Sequence, residues 1–394
     1  MSGNLSYVIV TPYTIAKSRT GGVLGRLLSR ANLELVGAQM FLPDQKFTNT
    51  YAQVLRSRSP HNQIMLLADY IEQNIAPSGG RPHRSLILLF RGENPCEKLG
   101  ATCGHLYSKN VEVDALTGET IRDTYADMIF ARDDPEKVTY FEPAVLTPRN
   151  QSEANEDLRL MADFLEGRGN ITQNMRYDDP SIIEQTLVII KPDNWTRHLT
   201  RPGAVIDMFS RTGLRIVGIK IHQFSLAQAM AFYGPVETVL KEKLAPGFGR
   251  QAKSLLEKHF HFSLSEESEK ILTGSFGIDC AKDQFSQIIQ FMCGERPPAN
   301  YDYDLTSPEC TRPGNVKCMI LIYEGEQAIK KIRDVLGPTD PLQAPEGTVR
   351  REFGSSVMVN TAHASDSAES YNREKDIIKT NENDLASIIR ECLG

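Results

Sequence analysis

The 394-residue sequence contains no apolar run of about 18 residues, the length that a membrane-spanning helix needs. Its first residues, Met-Ser-Gly-Asn-Leu-Ser-Tyr, lack the basic and apolar regions of a secretory signal peptide. We therefore expect a cytoplasmic protein with no membrane span. The length is enough for two or three domains of ordinary size.

An excess of positive charge is also missing, because the formal net charge at pH 7 is -6. This balance argues against a protein that binds nucleic acid or an anionic membrane. The seven cysteines include no C-x-x-C pair, and their odd number suits a reducing compartment better than a disulfide framework. The only cluster has the wrong spacing for a zinc knuckle: Cys280, Cys293, Cys310 and Cys318. We therefore predict no metal site in the protein itself.

The most informative segment is Asn360-Thr-Ala-His363-Ala-Ser365-Asp-Ser. Asp366 followed three residues later by Glu369 predicts a helix N-terminus just after the histidine. A phosphate is favoured at such a terminus, and imidazole is a nucleophile at neutral pH. Glu374, eleven residues after His363, provides a carboxylate on the predicted helix. The alternative is a polar loop that carries a surface histidine.

Three cationic residues lie at strand ends or Gly/Pro turns elsewhere in the sequence. Lys191 follows the apolar strand Leu187-Val-Ile-Ile, and Arg333 and Arg350 flank a segment rich in glycine and proline. A polyphosphate needs point charges and bidentate guanidinium groups that converge from several segments. Each of these residues taken alone is better explained as a solvated side chain, and only the combination indicates a phosphate site.

Together these segments resemble the nucleoside diphosphate kinase family. The matching motifs are K-P-D at Lys191, R-x-x-x-G-x-T-x-P from Arg333, G-T-V-R ending at Arg350, N-x-x-H-x-S-D-S from Asn360, and the helix glutamate Glu374. The spacing is unbroken from Arg333 to Glu374.

The resemblance implies a role for each residue of the motifs. His363 would be the phosphorylated nucleophile, oriented by Glu374, with Ser365 holding that carboxylate. The residues implied in nucleotide binding are Lys191, Arg333 and Arg350 on the phosphates, Thr339 as a donor to them, Asn360 on the sugar and Tyr233 near the transferred phosphate. Mg²⁺ would come with the nucleoside triphosphate, held mainly by its phosphates rather than by the protein.

The chain also reads as a tandem duplication. The corresponding segments are Tyr7–Pro12 and Leu187–Pro192, Gly22–Gly37 and Gly203–Gly218, Leu86–Glu93 and Met319–Glu326, and Gly118–Arg122 and Gly347–Arg350. Repeats of this length mean two copies of a whole domain. Periodicity predicts a strand, a helix and further strands in each copy, an α+β antiparallel arrangement. The resemblance implies two ferredoxin-like (βαββαβ) domains.

We predict domain boundaries from this pattern. Residues 1–166 form the first copy, 167–180 a linker of polar composition, and 181–394 the second copy, with an insertion at about 234–317. Parts of Leu240–Leu264 look helical. The alternation His259-Phe-His261-Phe could be a metal pair, but a half-buried strand edge is the better interpretation.

The two copies are not chemically equivalent. Thr11 and Tyr13 stand where the second copy has Lys191 and Asp193, and the alignment gives Thr147 or Pro148 at the position of His363. Arg122 is retained at the position of Arg350, where it is expected to be structural. The first copy is therefore predicted to be inactive.

The resemblance implies transfer of the γ-phosphate of a nucleoside triphosphate to a nucleoside diphosphate through phosphohistidine. The partners are then nucleoside tri- and diphosphates, and a dimer or trimer of tandem chains is expected. One alternative is a catalytically weak, nucleotide-binding regulatory or assembly protein of the same fold. Another is a relay that passes phosphate from phosphohistidine to a protein partner.

Overall fold

A computed structural model describes residues 4–59, 61–106, 118–134, 137–298 and 304–394. The chain forms two compact units. The larger comprises Met1–Ile221, Met319–Lys375 and Lys379–Gly394, and the smaller comprises His222–Cys318 and Asp376–Ile378. Both homologous copies therefore lie in the larger unit, whereas most of the predicted insertion lies in the smaller one.

The first copy is built on a four-stranded antiparallel sheet. The strands of this sheet are β1 (Asn4–Val10), β2 (Glu34–Phe41), β3 (Ser85–Gly92) and β6 (Val145–Leu146). The first copy also contains a hairpin of β4 (Asp127–Phe130) and β5 (Val138–Glu142). Its helices are α1 (Pro12–Ala16), α2 (Thr20–Arg30), α3 (Gln45–Arg58), α4 (Asn62–Tyr70) with a π-helical turn at Ile71–Ile75, α5 (Pro95–Cys103), α6 (Ile121–Tyr125) and α7 (Gln151–Leu165). The strand order is β2-β3-β1-β6, and β4 and β5 form a separate two-stranded sheet.

The second copy repeats this sheet. Its strands are β7 (Ile183–Ile190), β8 (Arg215–His222), β9 (Cys318–Glu326) and β10 (Ala362–Ala364), in the order β10-β7-β9-β8. Its helices are α8 (Arg201–Ser210), α13 (Ala328–Leu336), α14 (Val349–Phe353), α15 (Ala368–Ile378) and α16 (Leu385–Leu393). Helices α9 to α12 lie between α8 and α13 in the chain and are described below. Short 3-10 turns occur at Pro180–Ile182, Pro192–Asn194 and Pro341–Gln343. In each copy the first strand lies between the third and the fourth, the order of a ferredoxin-like βαββαβ sheet, so the predicted fold class is confirmed.

The smaller unit contains a π-helical turn at Thr273–Gly277 and the four remaining α-helices: α9 (Leu226–Phe260), α10 (Glu266–Leu272), α11 (Ile278–Cys293) and α12 (Pro308–Thr311). The helical prediction for parts of Leu240–Leu264 is confirmed by α9. The expected half-buried strand edge at His259 and His261 is wrong, because His259 lies in the last turn of α9 and both histidines are exposed. Four alternating residues are too few to distinguish a strand from a helix end.

The two copies pack against each other inside the larger unit through α2 and α8. A Cβ atom on Gly203 would overlap the carbonyl oxygen of Gly21, so the close approach of these helices requires glycine there. One apolar core includes buried side chains of both copies, among them Leu24 of α2 and Val205 of α8. The copies therefore pair within one chain.

Two further elements add to this pairing: the segment that joins the copies and the carboxyl-terminal helix. Asn170 of the predicted linker donates to the carbonyl oxygen of Thr380 at 3.0 Å. Helix α16 of the second copy packs on α7 of the first, where Arg390 forms an ion pair with Glu166 at 2.7 Å. The residues predicted as a linker therefore contact the carboxyl-terminal part of the second copy. Within the ranges that the structure describes, no helix is both long and apolar enough to cross a membrane.

Candidate active site

His363 lies in the middle of the short edge strand β10. This strand pairs with β7, so that His363 is opposite Ile189. The preceding residue but one, Thr361, has a φ of 72°, which is unusual for a β-branched residue. Ala144 precedes β6 of the first copy in the same conformation, with a φ of 62°. The kink is therefore a property of the shared fold rather than of the histidine site.

The imidazole of His363 is held by a carboxylate from the next helix. Its Nε2 lies 3.2 and 3.1 Å from the two carboxylate oxygens of Glu374, and the Ser365 hydroxyl donates to Glu374 Oε2 at 2.7 Å. The side chain of His363 is 23% exposed and that of Glu374 is 4% exposed. An ionised carboxylate can only accept, so this contact requires the proton of the neutral ring on Nε2. The lone pair is then on Nδ1.

The helix that carries Glu374 begins one residue later than predicted. Ser367, not Asp366, is the N-cap, and its hydroxyl oxygen accepts from the backbone N–H of Ser370. Asp366 instead accepts from the Ser370 hydroxyl at 2.6 Å. Adjacent Ser and Asp residues are both good caps, and only the backbone conformation decides between them.

Lys191 is buried at the end of β7. Its ammonium group donates to Asn360 Oδ1 at 2.7 Å and to the carbonyl oxygen of Met358 at 3.3 Å. Burial, and then the positive charge of Arg350, lower the pKa of Lys191 to about 7, although Asp193 acts in the opposite direction. Burial also raises the pKa of the Asp193 carboxyl. The charge of Lys191 is therefore sensitive to any anion that arrives beside it.

Arg350 is also buried, and its guanidinium group contacts two backbone carbonyls. It donates to Gly337 at 3.0 Å and to Ala362, next to His363, at 3.1 Å. These bonds fix the start of β10 relative to the turn after α13. Arg350 therefore supports the backbone of the site in this structure.

Four predicted residues remain: Asn360, Thr339, Arg333 and Tyr233. Asn360 donates to the carbonyl oxygen of Thr339 at 3.0 Å, so it connects Lys191 to the turn that contains Thr339. The side chains of Thr339 and Arg333 are exposed, and Arg333 lies on α13. The pKa of Asp366 is lowered, first by the Ser370 hydroxyl and further by the charge of Arg333. Tyr233 is buried on α9 of the smaller unit.

Sequence reasoning did not single out Asn194. This buried residue ends the turn after Lys191, and its amide donates to the carbonyl oxygens of Lys191 at 3.0 Å and Thr361 at 2.9 Å. It therefore joins the end of β7 to the kink before β10. The available signal was an asparagine two residues after a proline, a pattern typical of tight turns.

The first copy has a different residue at the position of the histidine. Strand β6 pairs Leu146 with Ile9, as β10 pairs His363 with Ile189. Since Ile9 and Ile189 are equivalent in the two copies, Leu146 occupies the position of His363.

The predicted equivalents Thr147 and Pro148 are therefore wrong by one and two residues. The two segments share almost no residue types, so only the strand register defines which positions correspond. The conclusion that the first copy lacks the histidine is unchanged, because Leu146 is a fully buried apolar residue.

A closed hydrogen-bond network replaces the lysine site in the first copy. The Thr11 hydroxyl donates to Glu142 Oε1 at 2.9 Å, and the Tyr70 hydroxyl donates to Glu142 Oε2 at 2.6 Å. Arg122 donates to the carbonyl oxygens of Gly104 and Val145, as Arg350 does to the corresponding backbone. The expected structural role of Arg122 agrees with these contacts.

The carboxylate of Glu374 also has a counterpart. Asp157 lies seven residues after the N-cap of α7, as Glu374 does after that of α15. Asp157 is buried, accepts from Tyr7 at 2.7 Å, and forms an ion pair with Arg58 at 2.7 Å. It is therefore occupied by structural partners rather than by an imidazole.

A protein-bound metal can be tested against the same geometry. Within the described ranges, no three His, Cys, Asp or Glu side chains converge as metal ligands. A hard cation such as Mg²⁺ prefers oxygen ligands, which nucleotide phosphates and water can supply.

The second copy is similar in sequence to known proteins. The family model described as nucleoside diphosphate kinase matches residues 184–243 and 309–383, two segments of the second copy. The chain is 32% identical over 192 residues to a nucleoside diphosphate kinase of Paracoccus denitrificans, covering 49% of this chain and 90% of that protein. It is 33% identical over 187 residues to one of Cereibacter sphaeroides, covering 48% and 86%.

A solved structure of a nucleoside diphosphate kinase from Pyrobaculum aerophilum is 23% identical, with a TM-score of 0.33 and coverage of 50% of this chain and 94% of that one. The two curated relatives are covered over most of their length at identities above 30%. The chain therefore belongs to the nucleoside diphosphate kinase family.

Proposed function

We propose that this chain transfers the γ-phosphate of a nucleoside triphosphate to a nucleoside diphosphate through phosphohistidine at His363. Family membership supports the general activity, that of a phosphotransferase acting on nucleotides. The observation that carries the covalent route is the contact of His363 Nε2 with Glu374, because it directs the lone pair of Nδ1 away from the protein carboxylate.

The reaction would have two balanced steps. In the first, Nδ1 attacks the γ-phosphorus in line, a P–N bond forms, and the bond to the β,γ-bridging oxygen breaks so that the nucleoside diphosphate leaves. In the second, the terminal oxygen of another nucleoside diphosphate attacks the same phosphorus, and the P–N bond breaks. Glu374 stabilises the imidazolium character that develops on the ring, and Ser365 holds this carboxylate in place.

Charge neutralisation would come from the cationic residues around the histidine. We assign Lys191, Arg333 and Arg350 to the phosphates, with Thr339 as a donor, Asn360 at the sugar hydroxyl and Tyr233 near the transferred group. A phosphate beside Lys191 would favour its charged form and reverse the pKa depression caused by burial. Mg²⁺ would be held mainly by the nucleotide phosphates and would supply further neutralisation of their charge.

The organisation of the chain supports proposals about its assembly. We assign residues 1–166 to a degenerate copy, 167–180 to a linker and 181–394 to the active copy with its insertion at 234–317. Since α2 and α8 already pair the copies, a dimer or trimer of chains would repeat a preformed pseudo-dimer. Light scattering checks this: a particle of about 44 kDa with full activity would contradict it. We also propose a cytoplasmic location.

A second candidate is a nucleotide-binding regulatory protein with weak turnover. It is favoured by the contacts of Lys191 and Arg350, since both cationic groups are bonded to protein oxygens in this structure. A phosphate would have to compete with or reorganise these bonds.

One labelling experiment separates the candidates. The purified chain is incubated with ATP labelled in the γ-phosphate, freed of nucleotide, and then mixed with GDP. We expect acid-labile label on His363 and its transfer to GDP. Label that GDP does not remove would indicate a relay to another acceptor, and nucleotide binding without label would indicate the regulator. The exposed His198 provides a control variant, H198A, which should label normally.

A further inference from the structure

A cavity of about 410 Å³ lies in the larger unit between the two copies. Its walls combine residues of the first copy, including Arg84 and Thr20, with residues of the second, including Arg215 and Tyr323. None of its lining residues belongs to the site around His363. The volume falls within the range typical of small-molecule sites, roughly 300–1,000 Å³.

Two arginines give this cavity its charge. Arg84 immediately precedes β3 of the first copy, and Arg215 is the first residue of β8 in the second. Arg84 donates to the carbonyl oxygen of Ile216 at 2.7 Å, and Arg215 contacts the sulfur of Met175 at 3.3 Å. In the part of the chain that the structure describes, neither guanidinium group has a carboxylate within ion-pair distance. Each keeps several N–H donors without a protein acceptor.

The two charges also act on each other. Burial lowers the pKa of Arg84, and the nearby charge of Arg215 lowers it further. Glu324 and Tyr177 partly offset this effect, but neither lines the cavity. Two like charges beside a half-buried cavity are stabilised by an anion that contacts both, and paired arginines fit the geometry of a phosphate group.

Neutral donors lie beside the arginines. Ser18 and Thr20 line the cavity, and their hydroxyls have no hydrogen-bond partner among the described residues. Thr20 is the first residue of α2, where the helix dipole favours negative charge. The Ser210 hydroxyl is less available as a donor because it already donates to the carbonyl oxygen of Asp207 at 2.6 Å.

The inner wall is apolar except for one group. Ile206 and Tyr323 are almost completely buried there, and the Tyr323 hydroxyl has no hydrogen-bond partner in the described structure. The carboxylate of Asp207 acts on this hydroxyl from outside the cavity. A buried donor without an acceptor is unusual in native proteins. The hydroxyl oxygen of Tyr323 has almost no accessible surface, so this wall presents apolar carbon, not a hydrogen-bond donor, to a ligand.

We propose that this cavity binds a small phosphorylated organic molecule, with the chemistry of a nucleotide, through Arg84 and Arg215. The phosphate contacts the two arginines at the rim, and the apolar walls cover the carbon skeleton. Because the ligand contacts both copies, it stabilises their packing, and this stabilisation increases with the ligand concentration. The site is separate from phosphotransfer, so failure of either proposal leaves the other intact.

The test measures the stoichiometry of ADP binding to the full chain by calorimetry. We expect two sites in the wild type and in the control R81M/R211M, and one site in R84M/R215M. The control removes the same charge from neighbouring arginines that do not line the cavity. The single site left in R84M/R215M should be weakened by K191M, which identifies it as the active site. A single wild-type site that R84M/R215M retains, or two sites in R84M/R215M, would overturn the proposal, whereas a single wild-type site that R84M/R215M removes would count against the active site alone.

Two further measurements make the result specific. Inorganic pyrophosphate should bind the cavity at least about tenfold more weakly than ADP, since it lacks the apolar part; equal or tighter binding would overturn the organic class of ligand. Arg215 is exposed, so a dicarbonyl reagent can modify it in the wild type. ADP should protect Arg215 but not Arg211, as read by mass spectrometry. Absence of this protection would contradict the site even if R84M/R215M failed to fold.

Discussion

The two copies present different side chains on the same backbone. Where the second copy has His363, Glu374 and Lys191, the first has Leu146, Asp157 and Thr11. Both keep the kinked residue before the fourth strand and the arginine that donates to backbone carbonyls. The shared groups are thus those that hold the backbone, whereas the groups that differ are those with nucleophilic or charged chemistry. This contrast separates what the fold needs from what phosphotransfer needs.

The sharpest test of the contrast removes the histidine. H363A should lower exchange activity by at least about a thousandfold, because it removes the attacking atom. Its thermal unfolding should stay close to that of the wild type, since His363 is only partly buried. The matched variant H198A should retain full activity in a coupled spectrophotometric assay. Substantial activity in H363A, with contaminating kinase excluded, would remove the nucleophile from this position.

The next largest effect concerns the two equivalent carboxylates. E374Q should lower the turnover rate by about tenfold to a hundredfold, because an amide orients the imidazole without stabilising its positive charge. D157N should leave the rate nearly unchanged but destabilise the chain by about 3 kcal/mol, since it breaks a buried ion pair with Arg58. Rates and denaturant unfolding are measured for both variants. Wild-type rates in E374Q would exclude Glu374 from the site.

The lysine position comes third. K191M should weaken nucleotide binding and slow transfer by about tenfold or more, because a charge-assisted hydrogen bond contributes roughly 1.5–3 kcal/mol. T11A, at the equivalent position of the first copy, should change activity little, since the Thr11 hydroxyl bonds only structural partners. Steady-state kinetics of K191M and T11A measure both changes. Equal losses of activity in K191M and T11A would mean that Lys191 affects activity by supporting the fold and not by contacting phosphate.

The equivalent arginines Arg122 and Arg350 test whether such an arginine only holds the backbone or also contacts phosphate. R122M should destabilise the chain by on the order of 3 kcal/mol, since it removes buried donors to two carbonyl oxygens, and should leave the activity of the folded fraction nearly unchanged. R350M should lower both stability and activity, the latter by about tenfold. If R350M lost stability alone, the assignment of Arg350 to the phosphates would be wrong.

The smallest predicted effect is the uptake of about one proton when ADP binds. The pKa of Lys191 is about 7 in the folded protein, against 10.5 for an ordinary lysine. Between these values the unfolded chain binds more protons, so this group makes stability rise with pH across that window. A bound phosphate restores the charge, so ADP binding at pH 8 should take up about one proton, and affinity should fall as pH rises. Calorimetry in buffers of different ionisation enthalpy measures this uptake. K191M should abolish it, and T11A should not.

Local sequence patterns predicted much of the fold. The apolar periodicity and the duplicated segments predicted strands and helices in both copies, and the family resemblance predicted that Glu374 contacts His363 and that Ser365 holds its carboxylate. The contact of His363 with Glu374 was accessible because a strand, a short turn and one helix connect them. The equivalence of Leu146 with His363 was not accessible, because strand register rather than residue similarity defines it.

By itself, the sequence therefore determined the duplication, the fold class of each copy and the family motifs, since these depend on periodicity and short-range spacing. Only the tertiary structure decided which groups are buried and what they face. It placed Lys191 in a site that lowers its pKa, bound Arg350 to backbone carbonyls, and enclosed Arg84 and Arg215 around one cavity. The physical reason is that desolvation and charge proximity depend on contacts between segments far apart in the chain, which no local pattern encodes.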